Sequence, residues 1–276
     1  MKSFVDLSLT QPNLFAKTSP HLFLKEIDDL QLLFKELSDN HEITIYDTNQ
    51  LYGEKGNFRV LQFLNEAIQG AMDLDHPERV LFEYPRAIIH LMDFNDPSFK
   101  DVFLIGHGIG TIASYYSDKR FTVAELDKKV VELSKQYFGY SKEDVLIGDG
   151  RAILESEAPD SYDYIILDAF TEKGTPSQLI SKEFFQMTTD KLHLQGSIIM
   201  NVFGRSDNDK LINAIHSTLQ ESYNYTKTFR LPAEGVTDIH NVIIMGSHNP
   251  IGYQARNMAG FNEINLDEGH MIWDNI

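Results

Sequence analysis

The sequence predicts an α/β fold: a mostly parallel, Rossmann-like sheet of seven strands, preceded by a small antiparallel sheet. Four short apolar runs alternate with helical patterns, and each run ends in glycine or acidic residues; they cover 101–105, 121–126, 144–147 and 162–167. Strands separated by helices need crossover connections, so they form a parallel sheet with both faces covered. The ends of such strands lie along one rim, where these sheets bind ligands.

Three further strands complete the sheet, and helices separate most of its strands. The strands are predicted at 196–202, 223–230 and 241–246, and the helices at 83–92, 111–117, 128–138, 181–191 and 207–221. Only the short link 231–238 joins the last two strands. We therefore expect them to form an antiparallel hairpin at one edge.

The first 75 residues predict a helical segment followed by a small β domain. Ser19 and Pro20 suit the N-cap and first position of a helix, and apolar residues follow at helical spacing as far as Leu37. Short strands with glycine and asparagine turns follow at 43–46, 58–64 and 67–69. The predicted domains are 1–75 and 76–276, with the boundary at His76-Pro77.

Composition excludes several classes of protein. The 276 residues include 41 acidic and 24 basic side chains, a net charge of −17, which argues against nucleic-acid binding. No apolar run reaches the ~20 residues that span a bilayer, and no signal peptide is expected. The absence of cysteine excludes thiolate metal sites and fits a cytoplasmic protein. No histidine pair has metal-ligand spacing, so we predict no metal.

The first loop on the rim carries three glycines, Gly106, Gly108 and Gly110, between a buried strand and a helix. Glycines there permit a tight turn and let a ligand approach the backbone amides. The third glycine comes two residues after the second, whereas the dinucleotide fingerprint has three. This spacing favours a nucleoside with a sulfonium side chain as the ligand, rather than a dinucleotide with a pyrophosphate. A strand-to-helix turn without a ligand is the alternative.

Two acids follow on the next strands. Glu125 ends its strand where a carboxylate accepts the ribose hydroxyls in nucleotide-binding sheets. We interpret the neighbouring Asp127 as the N-cap of the following helix. Asp149, followed by Gly150, suits an acceptor for an adenine amino group, but it could instead cap a helix that begins at Arg151.

Asp168 is the predicted catalytic residue. It ends the apolar run Ile165-Ile166-Leu167, and the loop 171–176 that follows could close over a substrate. A carboxylate at this position can hold an amine and take its proton as the amine becomes a nucleophile. A structural role as a loop cap is the alternative.

Taken together, these features resemble spermidine synthase and its relatives, the polyamine aminopropyltransferases. The resemblance rests on the small sheet, the Gln69 strand, the Phe82-x-Tyr84 helix, Glu125-Leu-Asp127, Gly148-Asp149-Gly150 and Asp168, and it covers about residues 52–249. It implies a class I methyltransferase-like fold and assembly as a homodimer or homotetramer. It also implies that Glu125 holds the ribose and Asp149 the adenine of decarboxylated S-adenosylmethionine, that Asp168 is the catalytic acid, and that Gln69 and Tyr84 line the amine cleft.

The chain departs from the family pattern at three places that would contact cationic groups of the substrates. Ile109 stands where the family's glycine loop carries an aspartate that grips the nucleoside's amine. Thr171 replaces a second aspartate that holds the far end of the diamine. Pro85 and Arg86 follow Tyr84, where relatives have histidine or glutamine and then glutamate. Arg86 could pair with a carboxylate on a ligand, or lie on the surface.

The expected function is aminopropyl transfer from decarboxylated S-adenosylmethionine to a small-molecule amine. Two alternatives stay open at this point. The chain could use S-adenosylmethionine itself and transfer a methyl or aminocarboxypropyl group to another acceptor, or it could be a non-catalytic relative that binds a nucleoside or only a protein partner. His107, within the glycine loop, could touch the ligand, but it could also point to solvent or into the neighbouring sheet.

Overall fold

The structure is a computed structural model, and it describes residues 30–38, 41–63, 68–171, 174–204, 209–232 and 240–274. The strands are β1 (Gln31–Ser38), β2 (His41–Leu51), β3 (Glu54–Phe63), β4 (Ile68–Asp73), β5 (Asp101–Ile105), β6 (Arg120–Glu125), β7 (Val145–Ile147), β8 (Tyr162–Leu167), β9 (Leu192–Gly204), β10 (Tyr225–Arg230), β11 (His240–Ser247) and β12 (Asn262–Ile264). The α-helices are α1 (Glu83–Asn95), α2 (Thr111–Tyr115), α3 (Lys128–Phe138), α4 (Gly150–Ser156), α5 (Lys182–Lys191) and α6 (Lys210–Gln220). Short 3-10 turns cover Ser177–Leu179 and Ala255–Asn257.

The large sheet has eight strands in the order β12-β10-β11-β9-β8-β5-β6-β7. Its five strands from β9 to β7 are parallel, and β10, β11 and β12 complete it with antiparallel pairs. The predicted α/β class and the antiparallel pairing of β10 with β11 are confirmed. The predicted count of seven strands missed β12, a three-residue strand at the edge.

The small sheet is antiparallel, in the order β1-β2-β3-β4. One of its faces packs against α3, where Ile43, Ile45 and Leu61 form a core with Val130 and Leu133. The predicted helix over 19–37 is wrong from Gln31 onward, because these residues form β1; the rest of it, up to residue 29, lies outside the described residues. The domain boundary at residue 75 stays a prediction.

The two faces of the large sheet carry separate cores, and this fixes the direction of each side chain at the rim. On one face, Tyr164 and Ile166 of β8 pack with Ile199 of β9 under α1. On the other face, Ile165 and Leu167 pack under α4, α5 and α6. Because side chains alternate along a strand, Asp168 and Asn201 point to the face covered by α1.

Side-chain caps set where several helices begin. Asp127 accepts a hydrogen bond from the N–H of Lys129 at 2.8 Å, and Asp209 and Ser181 cap α6 and α5 in the same way. The prediction that Asp127 is the N-cap of α3 is confirmed. Gly139, with φ +71°, ends that helix in the left-handed conformation that glycine adopts without steric cost.

Within the described residues, no helix is long and apolar enough to span a bilayer.

Candidate active site

The glycine loop, Glu125, Asp149 and Asp168 come to one rim of the large sheet. Strands β5, β6, β7 and β8 are parallel neighbours, so their carboxyl ends lie on the same side. The glycine loop and Asp168 directly follow β5 and β8, Glu125 ends β6, and Asp149 lies two residues after β7. The four groups therefore lie along one rim, and their role in binding a ligand stays a prediction.

Gly106 joins the glycine loop directly to the strand end that carries Asp168. Its φ is +98°, and a Cβ at this position would lie only 2.0 Å from the carbonyl oxygen of Asp168. Its N–H donates to the carbonyl of Ala124, and the N–H of Asp168 donates to the carbonyl of Ile105. No side chain fits at Gly106, because both its conformation and its neighbour exclude one.

The other two glycines of the loop are also in left-handed conformations, with φ of +54° at Gly108 and +84° at Gly110. A Cβ at Gly110 would meet the ring of Tyr140 at 2.2 Å. A Cβ at Gly108 would lie 3.5 Å from the carbonyl oxygen of Gln69, so β4 of the small sheet borders the loop. Gln69 itself is half-buried.

Glu125 is held by the backbone on either side of it. Oε2 accepts the N–H of His107 at 2.9 Å, and Oε1 accepts the N–H of Asp127 at 2.9 Å. Burial raises the pKa of Glu125, although these hydrogen bonds act in the opposite direction. Each oxygen of a carboxylate can accept two hydrogen bonds, so the group can still accept the two hydroxyls of a ribose.

Asp149 is exposed and caps α4. Its Oδ1 accepts the N–H of Ala152 at 2.9 Å, which matches the capping role weighed for this residue. A Cβ at Gly150 would lie 2.5 Å from the side chain of Ile105, so the start of α4 packs tightly against the end of β5. The second carboxylate oxygen can accept an amino group, so capping and base recognition are compatible.

Asp168 is a carboxylate surrounded by neutral hydrogen-bond donors. Oδ1 accepts from Nδ2 of Asn201 at 2.9 Å, and Tyr84 at the start of α1 forms a second side-chain hydrogen bond. Burial raises the pKa of Asp168 to about 6, and the two hydrogen bonds oppose this rise. Burial and the nearby Asp168 also raise the pKa of Tyr84 well above its usual value. Asp168 is thus ionised at neutral pH but can still accept a proton.

The sequence did not reveal the residues beneath and beside Asp168. Asn201 on β9 and Asn241 on β11 are buried, and Asn241 donates to Oδ1 of Asn201 at 2.8 Å. Phe170 and Phe203 lie two residues after Asp168 and Asn201 in the sequence, and their rings contact each other at a tilt of 34°, with centroids 4.1 Å apart. Asn201 interrupts the apolar run 198–203 and Asn241 directly precedes the apolar run 242–245. An amide within a buried strand needs a hydrogen-bond partner, and this signal could have found them.

The departures from the family pattern are visible in the structure. Ile109 packs against Gly70 of β4, where a Cβ would lie 2.7 Å from the isoleucine side chain. The hydroxyl of Thr171 donates to the carbonyl of Gly174 at 2.9 Å, on an exposed turn. Arg86 is exposed and bonds to Glu83 and to the carbonyl of Phe82, as expected of a surface arginine.

His107 points into the protein and away from the rim. Its Nε2 lies 2.7 Å from the hydroxyl of Ser134, and its ring packs edge-on against Tyr140. Burial lowers its pKa to about 4, so the ring is neutral. Its backbone N–H, rather than its side chain, takes part in the candidate site.

One group of side chains with metal-ligand spacing occurs in the described residues, formed by Asp101, Asp163 and His193. It lies at the starts of β5 and β8, the opposite end of the sheet from the glycine loop. Asp163 accepts the N–H groups of Lys100 and Asp101, and Asp101 pairs with Arg120. The absence of a metal from the function stays a prediction.

Comparison with known proteins identifies the family. The spermine/spermidine synthase domain model matches residues 81–233, more than half of the chain. The chain belongs to this family. The resemblance inferred from the sequence is thereby confirmed, and with it the assignment to a family of transferases.

Individual relatives agree with this assignment. A polyamine aminopropyltransferase from Vibrio vulnificus is 26% identical over 220 residues, which cover 73% of this chain and 72% of the relative. Putrescine N-methyltransferase 2 of Nicotiana attenuata is 29% identical over 61% of this chain, but the match spans only 45% of that enzyme. A probable spermidine synthase from Corynebacterium glutamicum has the same fold, with a TM-score of 0.75 and 22% identity over 88% of this chain and 96% of the other.

Proposed function

We propose that this chain transfers the aminopropyl group of decarboxylated S-adenosylmethionine to the nitrogen of a small amine. The observation that carries the proposal is Asp168, a half-buried carboxylate with a pKa near 6 on the same rim as Glu125 and the glycine loop. A base of this strength, next to a nucleoside site, suits the acceptance of a proton from an amine. The polyamine aminopropyltransferase among the relatives supports the same reaction.

Each residue at the rim has a proposed role. The backbone of Gly106, Gly108 and Gly110 borders the sulfonium side chain, Glu125 accepts the ribose hydroxyls, and Asp149 and Gly150 meet the adenine. Asp168 is the catalytic base. Gln69, Tyr84 and Thr171 line the acceptor side, where Tyr84 also orients Asp168 through its hydrogen bond.

The proposed reaction is a single displacement. The amine nitrogen attacks the methylene carbon bonded to sulfur, and a C–N bond forms as the C–S bond breaks. The electron pair of the broken bond leaves with sulfur, which becomes the neutral thioether of methylthioadenosine. The nitrogen then carries one proton too many and passes it to Asp168. Alignment of the two reactants can contribute ~7–11 kcal/mol, and proton transfer a further ~10²- to 10⁴-fold.

The test is to incubate the protein with decarboxylated S-adenosylmethionine and putrescine, spermidine or cadaverine, and to measure methylthioadenosine. We expect it to form with at least one amine and to be nearly absent with the Asp168→Asn variant. If no amine yields methylthioadenosine, aminopropyl transfer is rejected.

A second candidate, transfer of a methyl or aminocarboxypropyl group from S-adenosylmethionine, is favoured by one specific observation. Ile109 packs against Gly70 at the position where the family carries an acid for the aminopropyl amine. The putrescine N-methyltransferase among the relatives also fits this reading. Calorimetry with both nucleosides separates the candidates, because tighter binding of the carboxylated form would favour the second. If neither changes the melting temperature at millimolar concentration, the chain is a non-catalytic relative.

We also propose a cytoplasmic location and a homodimer or homotetramer, in line with the cysteine-free composition and the family resemblance. Sedimentation velocity at micromolar concentration tests the assembly. A single species of 31.6 kDa would contradict it.

A further inference from the structure

We propose that Asn201, fixed in one orientation by Asn241, positions the carboxyl group of Asp168 and tunes its basicity. The inference deepens the proposed function, because it depends on that function for the reaction that Asp168 serves. The contact itself is independent of any substrate. Both asparagines are positioning residues, and neither needs to touch the nucleoside or the amine.

The two amides form a short hydrogen-bonded chain that ends on Asp168. Nδ2 of Asn241 donates to Oδ1 of Asn201 at 2.8 Å, and Nδ2 of Asn201 donates to Oδ1 of Asp168 at 2.9 Å. Asn201 is 1% exposed and Asn241 4% exposed. Burial of amides that are hydrogen-bonded to each other in this way destabilises the fold little. A buried amide without a partner would destabilise it by ~1–3 kcal/mol.

The order of donors and acceptors in this chain is fixed. An ionised carboxylate only accepts hydrogen bonds, so Asn201 must present its NH₂ group to Asp168. The carbonyl oxygen of Asn201 then faces Asn241, which must present its own NH₂ group. If either amide turned over, two acceptor atoms or two donor groups would face each other at about 3 Å in a buried site.

Both asparagines lie on paired strands of the large sheet. In the antiparallel pair of β9 and β11, Asn201 is opposite Ile243 and Asn241 is opposite Phe203. The two asparagines are therefore diagonal neighbours on one face, the face that carries α1. Strands β9 and β11 have partners on both sides, so this support moves less than a loop would.

The consequence for Asp168 is that its charged form is stabilised. The hydrogen bond from Asn201 lowers the pKa of the carboxyl group and so opposes the rise that burial causes. Tyr84 is the titratable side chain that bonds to Asp168 from α1. From the other elements, Asn201 and Asn241 are uncharged, Glu125 is bound to backbone N–H groups, and His107 turns its ring toward Ser134. Burial and neutral donors therefore set the basicity of Asp168.

The decisive measurement needs no substrate. Protein labelled with ¹³C at the aspartate carboxyl carbons is titrated by NMR, and the Asp168 signal is assigned by its loss in Asp168→Asn. In Asn201→Leu the carboxylate loses its donor, so we expect the midpoint of this titration to rise by about 1 pH unit. Asn241→Leu, which touches Asn201 but not Asp168, should raise it by a smaller amount.

Ile243→Val is the matched control. Ile243 is buried directly opposite Asn201, and the change removes packing but no hydrogen bond. It should lower the melting temperature and leave the Asp168 titration unchanged. If the titration is also unchanged in Asn201→Leu or Asn241→Leu, whichever variants fold, the inference is overturned.

Activity gives a second readout and separates the inference from the proposed function. If methylthioadenosine forms, the acid limb of the pH profile of kcat/KM should move upward by the same amount as the NMR midpoint. If the NMR midpoint moves but no amine yields product, the positioning role stands and aminopropyl transfer fails. If product forms but neither the acid limb nor the midpoint moves, aminopropyl transfer stands and the positioning role is wrong.

Discussion

The proposed nucleoside side of the rim, which carries Glu125 and Asp149, and the proposed acceptor side, which carries Asp168, are built in different ways. On the nucleoside side, Glu125 and Asp149 are held by backbone N–H groups of their own or neighbouring loops. On the acceptor side, Asp168 is held by the side chains of Tyr84 and Asn201, which lie 84 and 33 residues away in the sequence. The first arrangement follows from local sequence, and the second depends on the complete fold.

The chemistry of the two sides differs as well. The nucleoside side keeps Glu125 and Asp149, but it has Ile109 where the family resemblance implies an acid for the nucleoside's own amine. The acceptor side has Thr171 where the resemblance implies an acid for the diamine, and it carries an aromatic pair, Phe170 and Phe203. An exposed ion pair contributes up to about 1 kcal/mol, so we expect this side to hold a diamine less tightly than it would with an acid at residue 171. We therefore expect nucleoside recognition to be the stronger of the two.

The largest expected effect is that of Asp168→Asn, which should abolish most of the activity but leave nucleoside binding intact. Removal of the base should lower kcat about 10²- to 10⁴-fold, because the attacking amine no longer has a proton acceptor. The dissociation constant of methylthioadenosine should change less than threefold by calorimetry. A large loss of nucleoside affinity would show that the two sides are not separable.

The same variant should be more stable than the wild type at pH 8. Burial raises the pKa of Asp168 from 3.8 to about 6, so the folded state binds a proton more tightly than the unfolded chain does. The contribution of Asp168 to the free energy of unfolding is then greatest below pH 3.8, and it falls as the pH rises to about 6. The loss above pH 6 is at most about 3 kcal/mol.

Melting temperatures of wild type and Asp168→Asn, measured between pH 5 and 8, test this linkage. The advantage of the variant should grow up to about pH 6 and then level off. A difference that does not depend on pH would mean that Asp168 has an ordinary pKa.

A smaller effect is expected for Glu125→Gln on the nucleoside side. A glutamine cannot accept both N–H groups, because one of them would face its NH₂ group. We expect methylthioadenosine to bind about 10- to 100-fold more weakly, with a smaller change in the KM for the amine. Glu132→Gln, an exposed acid on α3, is the control and should bind normally.

The smallest expected effect is a gain in affinity for the amine. It is also the most direct test of the difference between the two sides. Thr171→Asp restores an acid on the acceptor side, on an exposed turn where an ion pair contributes up to about 1 kcal/mol. The KM for a diamine should fall about two- to fivefold at low salt, and the neutral control Thr171→Asn should leave it unchanged. Equal values for the two variants would place residue 171 away from the amine.

The fold was largely predictable because the strands of the large sheet are continuous apolar runs between clear turns. The start of the chain was not. Leu33, Phe34 and Leu37 have helical spacing, but pairing with β2 makes this segment a strand, and the register shifts between Leu32 and Phe34. That irregularity breaks the simple alternation of a strand and lets the adjacent Leu33 and Phe34 both pack against the core near α3. Long-range pairing thus overrode the local pattern.

The site was predictable to the extent that it is local. Strand ends, glycines and acids are visible in the sequence, and so was the alternative that Asp149 caps a helix. Asn201 and Asn241 were missed because their roles arise only when β9 and β11 pair beside β8. Tyr84 was found through the family resemblance, and its bond to Asp168 depends on how α1 lies across the sheet.

The contact between Gly106 and the main chain of Asp168 limits how enzymes of this kind can change their substrates. Because there is no room for even a methyl group, the backbone is fixed here, and in the proposed site it borders both the nucleoside and the acceptor. New acceptors must therefore be accommodated by exchanging side chains around the base, at positions such as Thr171, Phe170 and Phe203. Diversification of the acceptor with a constant nucleoside is the outcome that this geometry favours.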